Sequence, residues 1–84
     1  MNNKNCDKIL DIWLNNAVTN KTKLKHPYPN QLVITHNDKT FYIECMENLI
    51  LYTVKNNNDM PPIGNFYENS TEDPEVLGKV IFDE

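Results

Sequence analysis

The sequence predicts an α+β domain in which one N-terminal amphipathic helix packs on a three- to four-stranded, mainly antiparallel sheet. Two hydrophobic patterns and the short length of the chain predict this class. The first segment carries apolar residues at helical spacing, the middle carries them at strand spacing, and 84 residues suffice for only one small domain. A hydrophobic content of 39% with 24% charged residues is typical of globular chains. Residues 1–84 are therefore expected to form a single two-layered domain.

The helix is predicted from about Cys6 to Val18. Its apolar residues recur at the spacing of one helical face: Cys6, Ile9, Leu10, Trp13, Leu14 and Ala17. Asn5 suits the N-cap position, and Asp7 places negative charge in the first turn, where the helix macrodipole favours it. One side of this helix should pack on a core while the other meets water.

The segment "TNKTKLKHPYPN" is predicted to be a connector without regular structure. Pro27 and Pro29 each lack a backbone donor, and each biases the preceding residue away from helical angles. The chain is therefore expected to leave the helix here and reach the sheet.

The segment "QLVITHNDKTFYIEC" predicts a β-hairpin. Its residues favour a pleated surface, and Asn37 with Asp38 suits a tight turn between the two strands. Phe41, Ile43 and Cys45 alternate with polar residues, which indicates that one face of the second strand is buried.

Two later segments leave alternatives open. "NLILYTVK" fits either a short helix or a strand, and its Ile, Tyr, Thr and Val content favours a strand. "DPEVLGKVIF" could be a terminal helix opened by Asp73 at the cap and Pro74 at the first position. Gly78 inside that helix would cost about 1 kcal/mol. A turn of helix followed by a last strand is therefore predicted.

Charge composition argues against nucleic-acid binding. All eight basic residues are lysine, the net charge is -4 and the isoelectric point is near 5.0. No direct nucleic-acid contact is expected. Charge is also uneven, since residues 1–56 carry seven lysines against five acids and residues 57–84 carry one lysine against seven. The preference for Asn and for Lys over Arg resembles AT-rich coding sequences, such as those of many phages, mobile elements and low-GC bacteria.

The sequence offers no catalytic or metal-binding motif. Its cysteines and histidines (Cys6, Cys45, His26 and His36) lack the close ligand pairs of zinc sites, and Ser70 lacks the glycines of a nucleophile elbow. The chain is expected to be no enzyme and to need no cofactor or metal. Without a membrane-length apolar run or signal-peptide pattern, it is expected in the cytoplasm, or the host cytoplasm if viral, with both cysteines as buried thiols.

The segment "DMPPIGNFYENSTEDPE" predicts the function. Pro61 and Pro62 stiffen it and Gly64 permits an unusual backbone angle, so a shaped loop is expected, whose binding would cost little ordering entropy. Such a loop in an acidic region suggests an inhibitor or antagonist that binds a larger protein with a basic surface. The predicted partner-binding residues are Ile63, Phe66, Tyr67, Glu68, Glu72, Asp73 and Glu75, with Tyr67 expected as an exposed aromatic that anchors the interface. Alternatively, Ile63 and Phe66 fold back and close an edge of the core. The acidic residues, for their part, could mimic the phosphates of nucleic acid or only keep the protein surface soluble.

A second hypothesis comes from a different class. It holds that the chain sequesters a small molecule or nucleotide in a pocket at a homo-oligomer interface, with four candidate ligand contacts: Lys23, Lys25, His26 and Tyr28. A third possibility is a structural subunit whose apolar strand face is covered by its own copy.

Overall fold

A computed structural model describes residues 4–20, 22–57, 59–60 and 67–82. The elements follow the chain as α1 (Lys4–Asn20), β1 (Lys23–Tyr28), β2 (Gln31–His36), β3 (Lys39–Cys45), β4 (Ile50–Asn56), β5 (Asn69–Thr71) and α2 (Pro74–Phe82). The strands form one antiparallel sheet in sequence order. The α+β prediction is confirmed, with five strands and a second helix.

The predicted hairpin is β2 and β3, paired without a register break from Gln31 opposite Glu44 to His36 opposite Lys39. Asn37 in the turn has a φ of 57°, a left-handed conformation that asparagine adopts more readily than most residues. The segment that could have been strand or helix is the strand β4, with Ile50 opposite Cys45. The preference for a strand there is confirmed.

One face of the sheet packs against both helices and contains the core. The buried apolar residues come from five elements: Cys6 and Ile9 of α1, Leu32 and Ile34 of β2, Phe41, Ile43 and Cys45 of β3, Ile50 of β4, and Leu77 and Ile81 of α2. The prediction that both cysteines are buried is confirmed. The opposite face, called the outer face below, carries the alternate residues of each strand.

The predicted connector contains an edge strand, so that prediction was wrong. β1 pairs with β2, and its register shifts between Lys25 and Tyr28, which accommodates Pro27. Only Leu24 of β1 is even partly buried. The strand is therefore held mainly by backbone pairing and shows no apolar alternation in the sequence.

The predicted last strand was also wrong, because residues 74–82 form the helix α2. Gly78 is buried inside it, and a β-carbon there would lie 2.9 Å from Cγ2 of Ile12 in α1. Real β-carbons do not approach other atoms so closely. The glycine thus lets the two helices come together, and their contact offsets its low helix propensity.

Two details of the predicted α1 were wrong as well. Asn5 lies within the helix, and its side-chain amide donates a hydrogen bond to the carbonyl of Met46 (3.2 Å) instead of capping the helix. Leu14, expected in the core, is 58% exposed. Among the described residues no helix is both long enough and apolar enough to cross a membrane.

Candidate functional site

The start of α2 is fixed by a local network of hydrogen bonds. Asp73 caps the helix as predicted, because its Oδ1 accepts a hydrogen bond from the backbone N–H of Glu75 (2.9 Å). The Oγ1 of Thr71 accepts one from the backbone N–H of Asp73 (3.2 Å). This network holds the segment from β5 into α2 in one conformation and places the carboxylates of Asp73 and Glu75 at the surface.

A crevice of about 270 Å³ lies between this helix start and α1. We call it the acidic crevice, and its lining consists of Lys8, Asp11, Ile12, Asp73, Pro74 and Glu75. Ile12 also contacts the position of Gly78. The close approach of the two helices therefore brings Asp11 to the same crevice as Asp73 and Glu75.

The acidic crevice carries three carboxylates and one lysine, and all four side chains are exposed. At neutral pH its formal charge is therefore negative. No group of acidic, histidine or cysteine side chains in the described part of the chain has an arrangement that could hold a metal ion. The volume is also below the range of about 300–1,000 Å³ typical of sites for small-molecule ligands. It is large enough for one basic side chain from a partner.

Tyr67 and Glu68, from the middle of the predicted loop, lie elsewhere, on the outer face of the sheet. The backbone N–H of Glu68 donates to Oγ1 of Thr53 (3.0 Å), a side chain that is only 1% exposed. The hydroxyl of Tyr67 donates to Oε1 of Glu44 (3.4 Å). Burial raises the pKa of Tyr67, and the neighbouring carboxylate of Glu44 raises it further. Tyr67 is therefore half-buried against the sheet and is not the freely exposed aromatic that was expected.

The described members of the predicted partner-binding set lie in two places. Ile63 and Phe66 lie outside the described residues. Tyr67 and Glu68 belong to the outer face, whereas Glu72, Asp73 and Glu75 follow β5, a three-residue strand that the loop prediction did not include. The structure brings Asp73 and Glu75 together with α1 and separates them from Tyr67.

The residues of the alternative ligand hypothesis lie on β1, and all four are exposed. Lys23 and Lys25 share the outer face, whereas Tyr28 comes after the register shift. His26 lies near the turn, with Nε2 3.4 Å from the carbonyl oxygen of Pro29.

Register places Lys23, Thr35, Thr40 and Lys55 in one row across four strands of the outer face. Lys25 begins the next row, opposite Val33. We call the part of the outer face that carries Lys23, Lys25 and Lys55 the lysine face. Within the described residues none of these lysines forms an ion pair.

Sequence reasoning missed Lys8, Asp11 and Ile12 as members of the site. The helical pattern placed the two charged residues on the solvent side of α1, which is where they lie. Nothing in the spacing could show that α2 begins beside them. The close approach of the two helices at Gly78 and Ile12, a tertiary feature, brings the start of α2 beside them.

Comparisons with known proteins identify no relative. No protein-family model, no curated protein and no solved structure matches this chain.

Proposed function

We propose that the chain is a non-enzymatic binding protein, an inhibitor or antagonist of the type encoded by phages and mobile elements, which binds a larger protein with a basic surface. The observation that supports this most directly is the acidic crevice. It presents exposed carboxylates from two helices on a fixed backbone, and its volume suits a single lysine or arginine side chain of a partner.

Two further features favour a protein partner. Val76 and Val80 of α2 are 47% and 44% exposed and lie one helical turn apart, so they add apolar surface to the helix that carries Glu75. Protein interfaces combine an apolar centre with charged groups that steer the encounter. The cap at Asp73 pre-orders the binding surface, which reduces the entropy lost on association.

The binding surface is therefore centred on the acidic crevice and not on the whole predicted loop, residues 59–75. Glu72, Asp73 and Glu75 keep the role that the sequence suggested, and Asp11 joins them. Tyr67 and Glu68 would contribute only if the partner also extends onto the outer face.

Affinity capture with the tagged chain of residues 1–84 from a lysate of its natural host tests this function. The test variant combines Asp11→Asn, Asp73→Asn and Glu75→Gln, which removes three charges but keeps a side chain at position 73 that can still cap α2. A matched control combines Asp38→Asn, Glu47→Gln and Glu68→Gln, three exposed carboxylates away from the crevice. We expect one captured protein with a basic surface, lost with the crevice variant and retained with the control.

The same experiment separates the crevice from the loop. Loss of capture with the control, but not with the crevice variant, would move the binding surface toward Glu68 and the loop. Equal loss with both variants would show that bulk charge alone mediates capture, and retention by both would refute the acidic-surface proposal.

A further inference from the structure

The acidic crevice and the lysine face lie on opposite sides of the molecule, while the outer face also carries Glu44 and Glu68 and the crevice also contains Lys8. The lysine face lies on the side of the sheet that the helices do not cover, and the acidic crevice lies between the helices. The two surfaces belong to different layers of one domain. A single copy therefore cannot bring them into contact, but two copies can.

We infer that the acidic crevice binds the lysine face of a second copy of this chain. This inference rests on the proposed function in one respect, because both treat the acidic crevice as a binding site. When no partner protein occupies the crevice, a second copy of the chain does. Lys23 and Lys25 are the inserting side chains because both are exposed on an edge strand. Lys55 is half-buried and lies at the other end of the row, three strands away on β4.

Charge complementarity supports a second copy as the occupant. Three lysines without ion pairs in the described part of the chain face outward on one surface, and three carboxylates line the other. Long-range repulsion between copies of net charge -4 opposes association. At physiological ionic strength charges more than about 8 Å apart are largely screened, so the short-range contacts between the two surfaces dominate.

The geometry of this contact has a consequence for assembly. It joins two different surfaces, so it is heterologous, and each bound copy leaves one lysine face and one crevice open. The chain therefore associates head to tail, either as open oligomers or as a ring if the rotation between copies closes. A basic partner protein that fills the crevice would break these contacts.

Reciprocal charge reversal tests the inference. The lysine-face variant carries Lys23→Glu and Lys25→Glu, and the crevice variant carries Asp11→Lys and Glu75→Lys, with Asp73 kept as the cap. A control variant carries Lys4→Glu and Lys39→Glu, two exposed lysines away from the lysine face. Circular dichroism and thermal melting first verify that each variant is folded.

Sedimentation equilibrium of the full chain gives the readout. We expect the average mass of the wild type and the control to rise with concentration at an ionic strength of about 0.15 M, where the long-range repulsion is screened, and salt of about 1 M to weaken association about tenfold or more. Each reversed variant should be a monomer alone. An equimolar mixture retains the natural pair of surfaces, and its two reversed surfaces are also complementary in charge, so association should return.

A wild type that stays monomeric at millimolar concentration and about 0.15 M salt would overturn the inference, and so would a mixture of reversed variants that does not associate. ATP and a single-stranded oligonucleotide serve as alternative anions. Binding of either at the lysine face without self-association would assign that face to a phosphate-bearing ligand. Self-association and partner capture are separate readouts, so either proposal can fail while the other stands.

Discussion

Gly78 disfavours helix formation by its low helix propensity but favours the close packing of α1 and α2 in the fold. In an isolated helix it costs about 1 kcal/mol relative to alanine. In the domain it faces Ile12, whose Cγ2 would be 2.9 Å from an added β-carbon. The branched side chain of Ile12 has little freedom to retreat, because Cγ2 is attached directly to its β-carbon. Steric contact between the helices should therefore outweigh the gain in helix propensity.

A double-mutant cycle measures this balance. We expect Gly78→Ala to lower the free energy of unfolding by about 1 kcal/mol, the difference between an overpacking cost and the propensity gain. In an Ile12→Ala background the same change should raise the free energy of unfolding by up to about 1 kcal/mol. Urea denaturation of the four proteins gives the coupling. The same sign in both backgrounds would contradict a steric role for the glycine.

Tyr67 provides a prediction about pH. Its folded-state pKa is raised by burial and by the carboxylate of Glu44, so the folded protein holds this proton to higher pH than the unfolded chain does. The stabilising contribution is complete below the unfolded tyrosine pKa of about 10 and is lost as pH rises through the folded value. Ultraviolet titration should lose its highest-pH phenol transition in Tyr67→Phe.

The Glu44→Gln variant separates the two causes of that shift. Removing the carboxylate should lower the pKa of Tyr67 without returning it to the ordinary value, because burial remains. Tyr67→Phe should also reduce the loss of stability above a pH of about 10. If Tyr67→Phe removed an early transition instead, Tyr67 would be exposed, as the sequence suggested.

At the scale of elements, the sequence predicted those helices and strands that have a local residue pattern of their own. α1 and the β2–β3 hairpin were predicted because burial of one face leaves a repeat in the chain, and β4 was predicted because its Ile, Tyr, Thr and Val content favours a strand. β1 and β5 were not, since each is an edge strand with little burial and is fixed by its neighbour's backbone. The acids of the candidate site could be recognised from charge alone. Their neighbour Asp11 could not, because helix–helix packing sets that proximity.

The cap of α2 gives a prediction at this scale. Asp73→Ala should lower the free energy of unfolding by about 1 kcal/mol, because the backbone N–H of Glu75 loses its acceptor. Asp73→Asn should change it little, since asparagine caps helices as well as aspartate does. Urea denaturation distinguishes the two variants. Equal destabilisation by both would mean that charge near the helix start, and not the cap, carries the effect.

At the scale of the whole molecule, the reactivity of the two cysteine thiols reports whether the helices and the sheet unfold together as one cooperative unit. Cys6 in α1 and Cys45 in β3 are each 1% exposed. The Cys45 thiol donates a hydrogen bond to the sulfur of Cys6. This bond and burial both raise the pKa of Cys45, whereas the same bond lowers the pKa of Cys6. A thiol reagent must nevertheless reach them through the core. Labelling therefore requires the helix layer to leave the sheet.

Thiol labelling of the single-cysteine variants Cys6→Ala and Cys45→Ala tests this cooperativity. In a small domain that unfolds in one step, both remaining thiols should react at rates set by the free energy of global unfolding. Each rate should then agree with urea denaturation of the same variant, which also corrects for the effect of the alanine. Faster labelling of Cys6 than that stability allows would show that α1 opens on its own. The acidic crevice, one wall of which is α1, would then be a transient surface, and binding there would depend on the closed population.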